Sequence, residues 1–206
     1  MYTPPPFAED DPEVVAAMIA RARLGALVTH GPQGLSATHL PFLYDREAGR
    51  LLAHLARPNP HPALAGDGEA MVIFSGPEAY VSPGWYPSKA DTGRQVPTWN
   101  YEAVHVYGRL EWFQDRDRLR DLLDRLTAAH EAGRSAPWAL SDAPEYVERL
   151  LGGIVGVELS ITRIEAKRKL SQNKPERDRA GVADGLAASE DPRDRTVAAL
   201  MRPEKA

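Results

Sequence analysis

Two stretches of this chain end in side chains suited to holding an anion. In His54-Leu55-Ala56-Arg57-Pro58-Asn59-Pro60 an apolar run closes on a guanidinium, followed by an amide between prolines. In Ala166-Lys167-Arg168-Lys169-Leu170-Ser171-Gln172-Asn173-Lys174 four cations stand beside three small polar side chains. Residues 163–179 carry seven basic and three acidic side chains, although the chain as a whole has a formal net charge of −4. Cations flanked by neutral hydrogen-bond donors suit a phosphate. A solvated basic face has the same composition. So does a nucleic-acid face, although few aromatics are interleaved here to stack on bases.

Aromatic residues gather upstream: Tyr80, Trp85 and Tyr86 precede Trp99-Asn100-Tyr101. Beside a phosphate-seeking cluster they suit a planar cofactor with a phosphate tail, and they serve equally as packing residues. Four of the six histidines, His39, His54, His61 and His105, fall on predicted strands or loop mouths. A metal site needs two or three to converge. Their spacing shows no convergence, which favours hydrogen-bonded positions in a barrel, and His30 and His130 read as surface residues. Gly152-Gly153-Ile154-Val155-Gly156 opens a strand where a nucleotide-binding loop would open a helix. There is no Gly-Xaa-Ser-Xaa-Gly elbow, no phosphate loop ending in Gly-Lys-Ser/Thr and no His-Glu-Xaa-Xaa-His helix.

The elements that must position these residues follow from the hydrophobic period. Asp10-Asp11-Pro12-Glu13 starts a helix whose apolar residues recur at three and four, with Gly25 as its stop. Residues 26–29, 35–44 and 51–56 read as strands joined by tight turns, an antiparallel meander. Residues 70–74 form a buried strand that Tyr80-Val81-Ser82 extends, and 83–97 is the longest irregular loop. A long strand over 100–113, a helix over 115–131, a helix from Ser141 and a strand over 154–163 follow. Beyond Pro175 the chain reads as polar and helical, with Asp191-Pro192 opening a last short helix. The expected fold is mainly β (α+β): an antiparallel split β-barrel of about six strands with peripheral helices.

Composition bounds the function. The 206 residues are 43% hydrophobic and 26% charged, as in an ordinary globular domain. With no cysteine, thiolate catalysis and Cys-ligated metal sites are excluded. The acidic balance argues against a surface that grips nucleic acid throughout. No run of about 20 apolar residues is present to span a membrane, and the Pro-rich acidic N-terminus does not read as a signal peptide. The expected location is cytoplasmic.

Six collinear motifs resemble the PaiB family of FMN-binding negative transcriptional regulators. They are Met1-Tyr2-Thr3-Pro4, Ala37-Thr38-His39-Leu40-Pro41, the His54–Pro60 run, Val96-Pro97-Thr98-Trp99-Asn100-Tyr101, Val104-His105-Val106-Tyr107-Gly108 and Lys169-Leu170-Ser171-Gln172-Asn173. The resemblance covers essentially the whole chain. It implies a split barrel of the pyridoxamine-phosphate-oxidase-like class, built as a homodimer with FMN at the subunit interface. It also implies a division of labour: Thr38, His39, Leu40 and Pro41 at the ring edge, and Arg57 with Asn59 at the phosphate, with His54 on the strand leading there. Trp99 and Asn100 would cover the ring, and Lys169, Ser171, Gln172 and Asn173 would complete the site. The expected organisation is a split-barrel domain over residues 1–174 with a helical extension over 175–206. The function implied is flavin-dependent regulation; the alternative is an FMN-dependent oxidoreductase acting on a small molecule. Haem handling through His39, His54 or His105, and direct DNA binding, rank lower because no motif supports either.

Overall fold

A computed structural model describes residues 1–202; the last four residues of the expected C-terminal extension lie outside the described residues. The chain runs α1 (Pro12–Ala22), β1 (Leu24–Gly31), β2 (Gly34–Pro41), β3 (Leu43–Asp45), β4 (Arg50–Ala56), α2 (His61–Leu64) and β5 (Ala70–Val81). It continues with α3 (Lys89–Thr92), β6 (Thr98–Phe113), α4 (Arg116–Glu131), α5 (Pro144–Leu151), β7 (Ile154–Lys169), α6 (Glu176–Ala187) and α7 (Pro192–Met201). Among the described residues the strands form one sheet in the order β2-β1-β5-β6-β7-β4-β3. The pairings β1–β2, β1–β5, β3–β4 and β4–β7 are all antiparallel, and in the hairpins β1–β2 and β3–β4 the short turns require it.

Seven strands replace the expected six or so. The reason is local: the run read as one strand over 35–44 breaks at Phe42, whose ring leaves the ladder to meet Phe74 edge-on at 5.9 Å. Gly25 is not the helix stop either. The left-handed residue after α1 is Arg23, at φ 59°. Gly25 lies inside β1, where a Cβ would come within 2.6 to 2.9 Å of Val72, Phe74 and Phe42. Glycine is required there by crowding and not by a turn.

The chain divides into two compact units. One comprises Met1–Ala22, Ser75–Val104 and 165–202; the other comprises Arg23–Phe74 and His105–Ile164. In the first, α6 and α7 bury Val182, Leu186, Val197 and Met201 against Val81, Tyr86 and Leu170. Asp191 starts α7 by accepting from the Arg193 amide at 2.8 Å. In the second, α4 is capped by Asp115, which accepts from the Arg118 amide at 2.9 Å. Its stripe of Leu119, Leu122 and Leu126 packs on Leu52, Phe113 and Leu151, the face the 3.6-residue period selects. No helix among the described residues is long and apolar enough to cross a membrane.

Candidate functional site

The basic run is organised where β6 begins and β7 ends. After Lys169 the chain turns through Ser171, whose φ of 62° is uncommon for a residue with a side chain. Asn100, fully buried, holds that turn. Its Nδ2 donates to Ser171 Oγ at 3.1 Å, Ser171 Oγ donates back to Asn100 Oδ1 at 3.2 Å, and Met201 Sδ lies 3.4 Å from Nδ2. Gln172 is spent on the main chain. It accepts from the Leu170 amide at 2.6 Å and donates to the Arg168 carbonyl at 2.5 Å.

This turn opens a cleft of about 250 Å³ lined by Phe7, Tyr86, Val96, Pro97, Thr98, Asn100, Lys169, Ser171, Asn173 and Lys174. The ammonium groups in and beside it bond to neutral acceptors. Lys169 Nζ donates to Thr98 Oγ1 at 2.6 Å and to the Trp99 carbonyl. Lys174 Nζ donates to Gln95 Oε1 at 3.1 Å and lies 5.0 Å from the Tyr86 ring centroid. Lys167 Nζ donates to the Tyr2 carbonyl at 3.1 Å. Asp178 feels the Lys174 charge, but its carboxylate is engaged by the Ser88 amide and hydroxyl at 3.0 and 2.7 Å. Burial, then the like charges of Lys167 and Lys174, hold the Lys169 pKa below the ordinary lysine value. A lysine in that condition favours an anion beside it. Trp99 itself is 51% exposed and meets Tyr80 edge-on at 6.1 Å.

The second unit carries the other nominated residues. On the β1–β2 hairpin Thr38 pairs with Leu27. The pleat puts Thr38 and Leu40 on one face and His39 and Pro41 on the other; Leu40 is buried and His39 exposed. Thr38 Oγ1 lies 2.7 Å from His61 Nδ1, and His61 Nε2 lies 2.9 Å from Thr29 Oγ1. Beyond β4, Arg57 is exposed and its amide donates to the Gly153 carbonyl at 2.8 Å. Asn59 closes an Asx-type turn, with Oδ1 accepting from the His61 amide at 2.9 Å. His54 lines a separate apolar cleft of about 240 Å³ with Leu123, Trp138, Val147 and Leu150. Its Nδ1 is buried without a hydrogen-bond partner, and burial lowers its pKa.

Of the sequence-nominated residues, Lys169, Asn100, Ser171 and Asn173 share one cleft, with Trp99 joined through its carbonyl. Thr38 and Asn59 are linked through His61. His54 faces its own cleft, and Gln172 holds the turn from behind. Thr98 and Thr29 have no role assigned from the sequence, and Lys174, Tyr86 and His61 enter it only as members of the basic run, the aromatic group and the loop-mouth histidines. The signal for Lys174 was its place in the basic run; the signal for His61 was the Asn-Pro-His triplet, an Asx-turn pattern. Among the described residues no group of three or more His, Asp or Glu is placed to hold a metal ion.

Residues 1–163 match a family model described as "Putative FMN-binding domain". The protein named "Protease synthase and sporulation protein PAI 2" of Bacillus subtilis is 33% identical over 206 residues, spanning 98% of this chain and 96% of its own length. Among solved structures, the FAD and heme binding protein from Mycobacterium smegmatis matches at TM-score 0.61 and 19% identity, over 84% of this chain and 78% of that one. The flavocytochrome Anf3 from Azotobacter vinelandii matches at 0.59 and 18%, over 84% and 74%. These two likenesses show the fold, the split-barrel type of antiparallel sheet.

Proposed function

The chain belongs to the PaiB-type FMN-binding family, and from that premise we propose that it is a flavin-dependent regulator whose lysine cleft holds the FMN phosphate. The observation that carries this reading is the set of neutral acceptors around Lys167, Lys169 and Lys174. A phosphate dianion at the cleft would supply the negative charge that these ammonium groups lack. Thr98, Asn100, Ser171 and Asn173 add neutral polar groups, and hydrogen bonds between a cation and a phosphate are the stronger kind.

The residues present fit the group in part. A cleft of about 250 Å³ falls below the roughly 300–1,000 Å³ of pockets that enclose a whole small molecule. It suits the phosphate end, where the resemblance also puts Arg57 and Asn59; Thr38, His39, Leu40 and Pro41 would take the ring edge, and Trp99 would cover the ring. A homodimer, with FMN shared between two copies, would complete the enclosure. FMN supplies reversible electron transfer when bound; this chain's residues bind it, orient it and set the polarity around it.

The regulatory part of the reading draws on the family resemblance and on the acidic net charge of −4. That charge favours signalling through the ligand or a partner over direct grip on DNA. The oxidoreductase reading draws on the fold shared with a flavocytochrome. The test is the absorption spectrum of purified protein mixed with FMN and dialysed, followed by NAD(P)H and then dithionite. A retained two-banded spectrum reducible by dithionite alone fits a flavin-gated regulator. Rapid reduction by NAD(P)H would move the assignment to an enzyme, and a colourless protein would overturn both.

A further inference from the structure

We propose that His61 is a positioning residue that makes Thr38 a hydrogen-bond donor toward an acceptor atom of the bound flavin. The proposal rests on the FMN reading above and deepens it. Thr29 and Thr38 stand on one face of the β1–β2 hairpin, since Thr38 pairs with Leu27, two residues from Thr29. His61 spans both, with Nε2 at 2.9 Å from Thr29 Oγ1 and Nδ1 at 2.7 Å from Thr38 Oγ1. The Asn59 turn anchors the His61 backbone, and the Trp112 ring packs 5.9 Å from the imidazole.

The direction of each bond follows from burial. Thr29 is 4% exposed, and among the described residues its hydroxyl has one partner, His61 Nε2. If that hydroxyl only accepted, its proton would be buried without an acceptor, at the full desolvation cost. Thr29 therefore donates, and Nε2 accepts. Burial of His61, 2% exposed, lowers its pKa and keeps the ring neutral, so the single ring proton lies on Nδ1. Nδ1–H then donates to Thr38 Oγ1. The Thr38 hydroxyl, half-buried, has its own proton left to give to a ligand. The isoalloxazine offers carbonyl oxygens and ring nitrogens as acceptors, and they gain electron density on reduction. A donor aimed at them binds the reduced ring more tightly than the oxidised one and raises the midpoint potential.

The test has two parts. Nitrogen-15 shifts of the His61 ring in the flavin-free protein report the tautomer without any ligand; Nδ1 is expected to carry the proton. FMN affinity and midpoint potential are then measured in Thr38→Val, Thr38→Ser and His61→Asn. Thr38→Val should weaken FMN by about three- to tenfold, the range of one neutral hydrogen bond, and lower the midpoint potential. Thr38→Ser should restore both, and His61→Asn, which keeps an N–H where Nδ1 stood, should stay near wild type. Thermal unfolding of each variant separates loss of fold from loss of the donor. A proton on Nε2, or an unchanged potential in Thr38→Val with FMN bound, overturns the donor assignment. Failure of the wild-type protein to bind FMN overturns the flavin reading and with it the ligand named here.

Discussion

Two clefts of this molecule carry cations, and they are opposite in character. In the second unit a cleft of about 320 Å³ is lined by Arg50, Arg118, Asp117, Asp121 and Glu158. Arg50 pairs with Asp45 at 3.2 Å and with Glu158 at 3.1 Å, and Arg118 pairs with Glu111 at 2.6 Å and Glu158 at 3.3 Å. Nearby, Arg125 pairs with Asp45 at 2.9 Å. The pairing favours the charged forms: hydrogen bonding to Arg125 holds the Asp45 carboxyl low, and Glu111 holds the Arg118 guanidinium high. In the first unit burial and like charges push Lys169 the other way. Counting cations would rank the clefts alike. What their cations are bonded to separates a neutralised surface network from a site that calls for an anion.

The strongest way to break this contrast is to remove the lysines. Lys169→Ala combined with Lys174→Ala should weaken FMN by about a hundredfold or more in fluorescence titration, since each charge-assisted bond is worth about 1.5–3 kcal/mol. Arg57→Ala should cost about ten- to a hundredfold in the same titration if this guanidinium also reaches the phosphate. Unchanged affinity would leave Arg57 a surface cation. Asn100→Ala should destabilise the fold by about 1–3 kcal/mol in denaturant unfolding. It leaves the buried Ser171 hydroxyl without the partner that holds the left-handed turn.

The pH dependence sharpens the contrast further. Because the folded pKa of Lys169 lies below its ordinary value of 10.5, the unfolded chain binds more protons in the interval between the two. Stability of the flavin-free protein therefore rises as pH climbs through that interval. FMN binding runs the opposite way and weakens as the ammonium is lost. Lys169→Met should flatten both trends in thermal unfolding and in FMN titration over the same range. The smallest effect belongs to the arginine cleft. Arg118→Ala should change stability by no more than about 1 kcal/mol, as for other exposed pairs, and leave FMN affinity at the wild-type value.

The scaffold was largely legible in the sequence because its signals are local. The leucines of α4 recur at helical spacing, Asp-Pro opens α1 and α7, and short turns force the β1–β2 hairpin. The strand expected to end at Arg163 continues to Lys169 because its charged residues find partners remote in sequence. Arg168 bonds Glu102 at 2.9 Å, and Glu102, 2% exposed, also bonds Arg21 at 2.9 Å. Composition reads such a stretch as a loop. The candidate site was legible as residue types and only partly as geometry. The basic run and Asn100 meet at one cleft, whereas His61 reads from sequence as one more loop-mouth histidine. Its two threonine partners lie 32 and 23 residues away, so nothing local announces them.

The most direct test of the phosphate assignment compares FMN with riboflavin, which shares the ring and lacks the phosphate, in the wild-type protein and in the Lys169→Ala, Lys174→Ala variant. Wild-type protein is expected to prefer FMN by about a hundredfold or more, and the preference should fall by about a hundredfold in the variant through loss of FMN affinity alone. Equal affinity for the two flavins in the wild-type protein, or a preference for FMN that is undiminished without both lysines, would contradict the assignment.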